Sequence, residues 1–250
     1  MLLNAETALS TSKVLLVPYS TWHVPRYHEW MQDEEIQQAT ASEPLTLEEE
    51  YAMQRSWRQD ADKLTFIVCR PVIHHGKEDS SILLSSEDDS SANMIGDINL
   101  FLRVDDGEDG DQLPQIVGEI ELMIAEKVNQ RRGFGKAALL TFLRYIVDEK
   151  SKILDEFVRG DVDAPMAERL KAAAKTSTFE FSCLSVKIGH ENLRSLALFE
   201  SLGFEKVTTE PNFFGEFELR RTDLGLQSVE QALEGAGVIG YTSLSYQRKE

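Results

Sequence analysis

The sequence predicts a mixed α/β fold built around one sheet. Short runs of β-branched and apolar residues alternate along the chain with runs of helical periodicity, and two neighbouring strand-like runs form a hairpin. With 250 residues, 42% of them hydrophobic, the chain is long enough to bury a sizeable core. We therefore expect a single decorated domain, with its core at about residues 13–220 and a C-terminal extension at 222–250.

The first predicted strand is Lys13–Ser20, whose β-branched and apolar residues give way to a break near Pro18. The aromatic stretch after it has helical spacing, because Tyr27, Trp30 and Met31 fall at i, i+3 and i+4 on one helix face. Such a stripe more often packs in the core than lines an acceptor pocket. We therefore interpret it as core.

A second helix is predicted to begin at Thr46. Thr46 and Glu49 have the spacing of a capping box, so Ser42–Leu47 becomes the loop that enters this helix. Lys63–Arg70 then has the composition of a strand. The Ser- and Asp-rich stretch at about 71–92 lacks a sustained period, and we interpret it as a mobile surface insertion.

Two strands in the middle of the chain, Asn93–Val104 and Ile116–Ala125, are predicted to form an antiparallel hairpin around an acidic insertion at about 104–115. Since side chains alternate between the two faces of a strand, Glu119 and Glu121 share one face. Two interpretations of this pair stay open on the strand pattern: an ordinary solvated strand face, or two carboxylates that serve a site.

The second half of the chain again alternates helices and strands. Gly135–Lys150 has an apolar stripe at helical spacing, and a third insertion at about 150–180 is predicted to hold an extra helix. The remaining predictions are a strand at Leu184–Gly189, a helix closed by Gly203, and two strands at Phe204–Glu210 and Phe213–Arg221.

Charge and composition exclude several classes of function. The formal net charge of −17 disfavours nucleic-acid binding, which needs an excess of Lys and Arg. Cys69 and Cys183 are too few for a disulfide framework, so we expect buried thiols in a reducing compartment. The histidines show no metal-binding spacing, and no metal is assigned. Without a signal-peptide or membrane-spanning pattern, we expect a cytoplasmic protein with no membrane partner, and nuclear entry is left open.

The stretch Asn129–Leu140 places glycines and basic residues directly before a helix, with Gln130-x-x-Gly133-x-Gly135 at its centre. Glycine lets the backbone approach a phosphate closely enough for several N–H groups to donate to it, and the positive end of the helix dipole points to the same place. Cations at a helix N-terminus oppose that dipole unless an anion lies between them. The local excess of basic residues therefore predicts an anion site; these residues are Lys127, Arg131, Arg132 and Lys136.

A dinucleotide-binding loop is an alternative for these glycines. Gly133-x-Gly135-x-x-Ala138 matches the pattern G-x-G-x-x-A, and Asp155 lies about 20 residues beyond Gly135. A dinucleotide loop follows its strand almost at once, however, whereas EKVNQRR intervenes here between the strand and Gly133. This interpretation is therefore disfavoured.

Two motifs together carry a resemblance to a known family. Gln130–Gly135 resembles the Q/R-x-x-G-x-G/A signature of the GNAT acetyltransferase superfamily, and Asn192–Phe204, with the pattern N-x-x-S-x-x-x-F-x-x-x-G-F, resembles its downstream helix. The motifs occur in the family's order, with the expected strand between them. Further segments, from KVLLVPY to GEIELMIAE, are similar to the eukaryotic N-acetyltransferase 9-like proteins, and the resemblance covers roughly residues 13–220.

The resemblance implies a GNAT acyl-CoA N-acyltransferase fold with splayed central strands, which binds acetyl-CoA as its co-substrate. Glu119 and Glu121 fall where family members place residues that handle the proton of the acceptor amine, directly or through water. Asn192 is implied as a pantetheine contact, with a helix N-cap as its alternative role. The other implied cofactor contacts are the backbone of Met123, Ile124 and Ala125 and the loop residues Gln130, Arg131, Arg132, Gly133, Phe134, Gly135 and Lys136.

One departure from the family pattern concerns the acid that protonates the leaving thiolate. Many members carry a Tyr where this chain has Phe199, and Phe cannot donate a proton. Ser195, one turn earlier on the same helix, resembles the serine of the ribosomal-protein acetyltransferase branch and is the substitute candidate. The alternatives are a purely structural Ser195, and a thiolate that leaves unaided or takes its proton from water.

We therefore expect an acetyl-CoA-dependent N-acetyltransferase that acts on a protein N-terminal α-amine, whose pKa near ~8 makes it neutral more readily than a Lys side chain. Acceptor recognition is predicted at Ser42–Leu47 and Thr208–Phe213. The alternative is an acetyl-CoA-binding protein with weak or lost catalysis that binds a protein partner. The resemblance makes tubulin a candidate partner, and binding between two acidic proteins would then need a local site.

Overall fold

The computed structural model describes residues 1–72, 84–107, 113–174 and 178–247. Its strands are β1 (Thr7–Ser10), β2 (Leu15–Pro18), β3 (Lys63–Cys69), β4 (Met94–Asp105), β5 (Gln115–Ile124), β6 (Phe181–Gly189), β7 (Glu205–Lys206), β8 (Glu216–Arg221) and β9 (Thr242–Ser245). They form one sheet in the order β7-β8-β6-β5-β4-β3-β2-β1-β9. β5 and β6 are parallel and the other neighbours are antiparallel, so the predicted mixed sheet and the predicted β4–β5 hairpin are confirmed.

The helices are α1 (Val24–Met31), α2 (Glu34–Thr40), α3 (Leu47–Gln59), α4 (Phe134–Gly160), α5 (Ala164–Ala173), α6 (Leu193–Glu200) and α7 (Leu226–Gly235). Thr46 caps α3, and Glu49 Oε2 accepts from the Thr46 N–H at 2.8 Å, which confirms the predicted capping box. Asp33 caps α2, so the helical stretch predicted after β2 is divided into α1 and α2. None of the described helices combines the length and the apolar character that a membrane crossing requires.

Helices cover both faces of the sheet. Alternate residues of the central strands point to opposite sides, so Leu16 and Phe66 pack in one core with α4 and α7, while Val17 and Ile67 pack in another with α1. The second core contains the whole predicted aromatic stripe, which confirms its interpretation as core: Tyr27, Trp30 and Met31 are all buried.

The two ends of the described chain meet in the sheet, which the sequence does not indicate. β9 pairs with β1 from Thr242 to Ser245, and both strands lie outside the segment that we predict as the core. Val229 and Leu233 of α7 are buried in the same core as α4. The stretch at 222–250 follows the predicted core in sequence, but its described part completes the sheet and the core in space.

α4 is longer than predicted. We predict a helix that ends at Lys150, whereas α4 continues to Gly160 because Ile153 and Phe157 extend its buried stripe. The extra helix that we predict in the third insertion is α5, which Asp163 caps. The strand predicted from residue 204 to residue 210 is reduced to the two residues of β7.

The first insertion is only partly a surface segment. Asp89 is 2% exposed and accepts hydrogen bonds from Trp22 Nε1 at 2.9 Å and from the Tyr246 hydroxyl at 2.5 Å. The prediction of a mobile surface is therefore wrong around Asp89, which ties this segment to the start of α1 and to the residue after β9. The rest of that prediction concerns mainly residues 73–83, and much of the predicted hairpin loop is formed by residues 108–112. Both ranges lie outside the described residues.

Candidate active site

β5 and β6 diverge, and a cleft opens between them. Their parallel register runs from Ile116 to Glu119 of β5, whereas β5 continues to Ile124 and β6 to Gly189. The cleft between the diverging ends has a volume of about 930 Å³. β4, β5 and β6 form its walls, and side chains from α1, α2, α3, α6 and the turn before β8 also line it.

The backbone of β5 has one edge in the sheet and one at the cleft. Ala125 N donates to Ile95 O at 3.0 Å, so this N–H belongs to the ladder with β4. Because backbone groups alternate in direction along a strand, Met123 also faces β4, while Leu122 and Ile124 face the diverging β6. Of the three residues predicted to offer backbone to a cofactor, Ile124 is the one whose peptide groups point into the opening.

Side-chain hydrogen bonds hold the loop between β5 and α4. Gln130 Nε2 donates to Ile124 O at 3.0 Å, which anchors the loop to the end of β5. Asn129 is buried; its Nδ2 donates to Glu126 at 3.0 Å and its Oδ1 accepts from Arg70 at 3.1 Å. The loop is therefore fixed beside the cleft before any ligand binds.

Gly133 begins α4 with a left-handed backbone. Its φ is 85°, a conformation that glycine adopts at no steric cost, and Arg131 is also left-handed with φ 61°. In the described chain, the backbone N–H groups from Arg132 to Lys136 donate no hydrogen bond, as at other helix N-termini. The loop thus presents several free N–H donors at the positive end of a helix of 27 residues.

Arg131, Arg132 and Lys136 add positive charge at this helix start. The two arginines are exposed, and none of the three cations forms an ion pair with a described residue. The Arg132 guanidinium lies 5.5 Å from the centre of the ring of Phe134, the first residue of α4, as in a cation–π contact. Free N–H groups and unpaired cations at one place fit a phosphate-bearing ligand.

Polar side chains from β4 and β5 line one wall of the cleft. Asn99 is in register with Glu121, so the two side chains lie on the same face of the hairpin, together with Asp97 and Glu119. Glu119 Oε2 accepts a hydrogen bond from Lys187 Nζ of β6 at 3.0 Å. The two glutamates that are equivalent in the sequence therefore differ in the structure, because one of them is engaged in an ion pair.

Glu121 has the surroundings of a base that works near neutral pH. Its side chain reaches solvent through the cleft, yet burial by the surrounding protein, followed by the charges of Asp97 and Glu119, raises its pKa to about 7. Asp97 is 2% exposed, and burial raises its pKa to about 6 even though Asn99 Nδ2 donates to its Oδ2 at 2.7 Å. Two neighbouring carboxyl groups can thus hold and release a proton near pH 7.

α6 brings both of its predicted site residues to the cleft. Asn192 Oδ1 accepts from the Ser195 N–H at 3.1 Å, as expected of a helix N-cap, and both residues line the cleft. Phe199 also lines the cleft but is 3% exposed, and its ring packs edge-on against Phe204 with the ring centres 5.1 Å apart. Ser195 is therefore the hydroxyl that α6 offers to the cleft.

Sequence reasoning missed Asp97 and Asn99. Both lie in β4, where neighbouring residues are buried, and two polar residues at i and i+2 in a buried strand are the signal that could have revealed them. Of the predicted acceptor segments, Ser42 lines the cleft, and Phe214 lines it directly after Thr208–Phe213. The described residues contain no cluster of His, Cys, Asp or Glu that could hold a metal ion.

Comparison with known proteins gives three related findings. A family model described as an acetyltransferase (GNAT) domain matches residues 13–205. The chain is 40% identical to the N-acetyltransferase 9-like protein of Schizosaccharomyces pombe, over 89% of this chain and 100% of that protein. It is 41% identical to alpha/beta-tubulin-N-acetyltransferase 9 of Homo sapiens, over 89% of this chain and 86% of that protein.

A solved structure shows a similar fold. Spermidine N-acetyltransferase from Vibrio cholerae, determined in complex with CoA and spermine, superposes with a TM-score of 0.51 at 14% identity, over 84% of this chain and 94% of that one. At this identity the similarity concerns the fold alone. The similarity extends over most of both chains.

Proposed function

Because the chain belongs to the GNAT acetyltransferase family and is an N-acetyltransferase, we propose that it transfers an acetyl group from acetyl-CoA to the α-amine of a protein N-terminus. The observation that carries this proposal is the position of Glu121 on the wall of the cleft between β5 and β6, beside Asp97 and apart from the ion pair of Glu119. Relatives named for tubulin support a protein acceptor and make tubulin the first one to test. A cytoplasmic location agrees with such an acceptor and forms part of the proposal.

The start of α4 fits the pyrophosphate of acetyl-CoA. The free N–H groups of Gly133–Lys136 would donate to the phosphate oxygens, and Arg131, Arg132 and Lys136 would balance their charge. The backbone of Leu122 and the Ile124 N–H, which face the opening, would pair with the pantetheine amides as an added strand does, while the Ile124 carbonyl already accepts from Gln130. Asn192 borders the same cleft. When bound, acetyl-CoA supplies the thioester that the amine attacks.

Glu121 acts as the general base in this proposal. An α-ammonium group must lose a proton before its nitrogen can attack, and its pKa near ~8 lies close to that of Glu121. A Glu at its ordinary pKa of 4.5 would be a much weaker proton acceptor at neutral pH. Glu119 is held by Lys187, so it contributes negative charge near Glu121 and remains in its ion pair. The fixed positions of both substrates supply a further part of the rate.

Ser195 is the proposed proton donor to the leaving thiolate. It lines the cleft from α6, one turn before Phe199, whose ring has no proton to give. Its backbone N–H is bound by Asn192, while its hydroxyl makes no hydrogen bond with a described residue. The hydroxyl is therefore free to face a ligand in the cleft.

A peptide assay tests the proposed function. The purified chain would be incubated with acetyl-CoA and a peptide that carries the N-terminal sequence of tubulin, and the products would be located by mass spectrometry. We expect acetylation of the α-amine. In the matched control peptide the α-amine is blocked and one Lys remains, and we expect no acetylation. Equal transfer to both peptides would contradict α-amine specificity, and CoA binding without any turnover would favour a binding protein.

A further inference from the structure

A row of buried polar side chains leads from the cleft towards α3. It starts at Asp97, passes Tyr27 and Tyr19, and ends at Glu50 of α3. The Tyr27 hydroxyl lies 3.5 Å from Asp97 Oδ2, and the rings of Tyr27 and Tyr19 are 5.2 Å apart. Glu50 is only 1% exposed although it carries a carboxyl group. Neither Tyr19 nor Glu50 takes part in the chemistry proposed above.

The row is lined by polar atoms that need further hydrogen-bond partners. Burying a polar atom without a partner costs free energy, so buried polar clusters normally contain ordered water. A cavity of about 10 Å³ beside Tyr19, Gln54 and Thr65 has room for about one such molecule. Along and beside the row, the buried atoms without a hydrogen-bond partner among the described residues include Asp97 Oδ1, Asn99 Oδ1, Thr65 Oγ1, Tyr19 OH, Gln54 Oε1, Glu50 Oε2 and His28 Nδ1.

The groups along the row can pass a proton near neutral pH. Burial raises the pKa of Asp97 to about 6 and that of Glu50 to about 7. Burial, and then the neighbouring carboxyl groups, raises the pKa values of Tyr19 and Tyr27 well above their usual range. Both phenols therefore stay neutral, and a neutral hydroxyl can accept one proton while it donates its own.

The far end of the row approaches solvent. His28 Nδ1 of α1 lies 3.9 Å from Glu50 Oε1, and the His28 side chain is 23% exposed. Two further titratable groups feel the charge of Glu50, which adds to burial in raising the pKa values of Tyr19, in the segment after β2, and of Tyr27 in α1. A proton that reaches Glu50 thus has an imidazole between it and bulk water.

We infer that this row is a proton exit route, through which Glu50 receives the proton that Glu121 removes from the acceptor amine. This inference rests on the proposed function. The ammonium group gives one proton to the Glu121 carboxylate and becomes a neutral amine. Asp97 takes that proton from Glu121. Tyr27, Tyr19 and ordered water then each accept one proton and release one. The Glu50 carboxylate receives one proton and passes it to solvent beside His28. When the C–S bond breaks, the amine nitrogen loses its second proton, and this proton balances the one that the CoA thiolate gains through Ser195.

A separate route is useful because both substrates fill the cleft during the reaction. Glu121 and Asp97 line the same cleft that the thioester and the amine must occupy, so bound substrates displace the water through which Glu121 meets solvent in the free protein. Asp97 and Tyr27 line the cleft, whereas Tyr19 and Glu50 do not, so bound substrates would leave the far end of the row uncovered. Glu50 is accordingly a relay residue that acts through Asp97, and it does not touch the substrates.

Two isosteric variants and their combination test the route. Glu50→Gln removes the acceptor carboxylate, and Tyr19→Phe removes one hydroxyl. Each should lower kcat about tenfold, with the KM values for acetyl-CoA and peptide changed less than about twofold. Each should also increase the solvent deuterium isotope effect on kcat, because proton release becomes rate-limiting. Since both changes interrupt the same route, the double variant should be no slower than the slower single variant.

The controls separate this inference from the proposed function. Glu48→Gln removes a carboxylate from the exposed face of the same helix and should behave as the wild type. If the wild type transfers acetyl groups but the Glu50 and Tyr19 variants keep its kcat and isotope effect, the route is refuted and the proposed function stands. The route is also refuted if the single variants are slow but their solvent isotope effect is unchanged, and the double variant loses kcat by the product of the two single factors. Glu50 and Tyr19 would then have a purely structural role. A wild type that transfers nothing to any amine overturns both proposals.

Discussion

Lys187 Nζ lies 3.0 Å from Glu119 Oε2, and this ion pair distinguishes the two glutamates on the face of β5. Glu121 lies two residues further along the same strand and forms no ion pair with a described residue. Its pKa is raised to about 7, by burial first and then by Asp97 and Glu119. The position of Lys187 on β6 thus leaves Glu121 as the carboxylate that can exchange a proton with an acceptor.

Neutralising Lys187 or Asp97 should move the pH dependence of kcat in opposite directions. Lys187 lowers the pKa of Glu121, whereas Asp97 raises it. Because the base must be deprotonated, Lys187→Gln should move the rising limb of kcat to higher pH, and Asp97→Asn should move it to lower pH. Measuring kcat from about pH 5.5 to about pH 9 locates both midpoints. Shifts in the same direction would mean that another group controls the rate.

Removing one cation from the start of α4 should weaken cofactor binding. A hydrogen bond to a charged group contributes about 1.5–3 kcal/mol, so Arg132→Gln and Lys136→Gln should each raise the Kd of acetyl-CoA by about tenfold or more. Titration calorimetry measures this change. Arg159→Gln is the matched control, because Arg159 is 81% exposed at the other end of α4, and its Kd should not change. Wild-type affinity in all three variants would place the pyrophosphate elsewhere.

Replacing Ser195 tests the proton donor for the leaving thiolate. Ser195→Ala should lower kcat about tenfold and leave the KM for acetyl-CoA unchanged, whereas Ser195→Thr, which keeps a hydroxyl, should retain most of the rate. The cap of α6 depends on the Ser195 backbone N–H, so neither change should unfold the helix. Steady-state kinetics decide the matter. A normal kcat in Ser195→Ala would mean that the thiolate leaves unaided or takes a proton from water.

The buried Glu50 carboxyl group should make stability depend on pH. Its pKa is raised from 4.5 to about 7, so the folded state loses stability as the pH rises from 4.5 to 7, and the loss stays constant above that range. The shift corresponds to about 3 kcal/mol. Glu50→Gln removes this penalty, so its Tm should exceed that of the wild type at pH 8 and lie near or below it at pH 5. Thermal unfolding at both values measures this, and a constant Tm difference would contradict the raised pKa.

Local patterns account for the parts of the fold that the sequence predicts. The capping box at Thr46, the β4–β5 hairpin and the stripe of α4 each depend on residues close together in the chain, where periodicity is informative. The pairing of β1 with β9 joins four-residue strands that are more than 200 residues apart. Strands so short carry little periodic signal, and nothing local specifies their partner.

In the candidate site too, features that depend on neighbouring residues are predictable from the sequence, and features that depend on distant residues are not. The left-handed glycine at the start of α4 and the cations beside it lie within a few residues of one another in the chain, so the sequence indicates this part of the site directly. The difference between Glu119 and Glu121 depends on Lys187, which reaches Glu119 only because β6 lies beside β5. The contribution of Asp97 likewise depends on the register of the hairpin. The different surroundings of Glu119 and Glu121 arise from tertiary contacts, which the alternation of side chains along a strand does not predict.

The most direct test of the account is the pH profile of kcat for Glu121→Gln beside the wild type and Glu119→Gln, with acetyl-CoA and an α-amine peptide. We expect wild-type kcat to rise with a midpoint near pH 7. Glu121→Gln should lose about 100-fold or more with its acetyl-CoA affinity intact, and Glu119→Gln should keep most of the rate with a lower midpoint. If Glu121→Gln instead keeps the wild-type rate and midpoint, Glu121 is not the base and the central claim is contradicted.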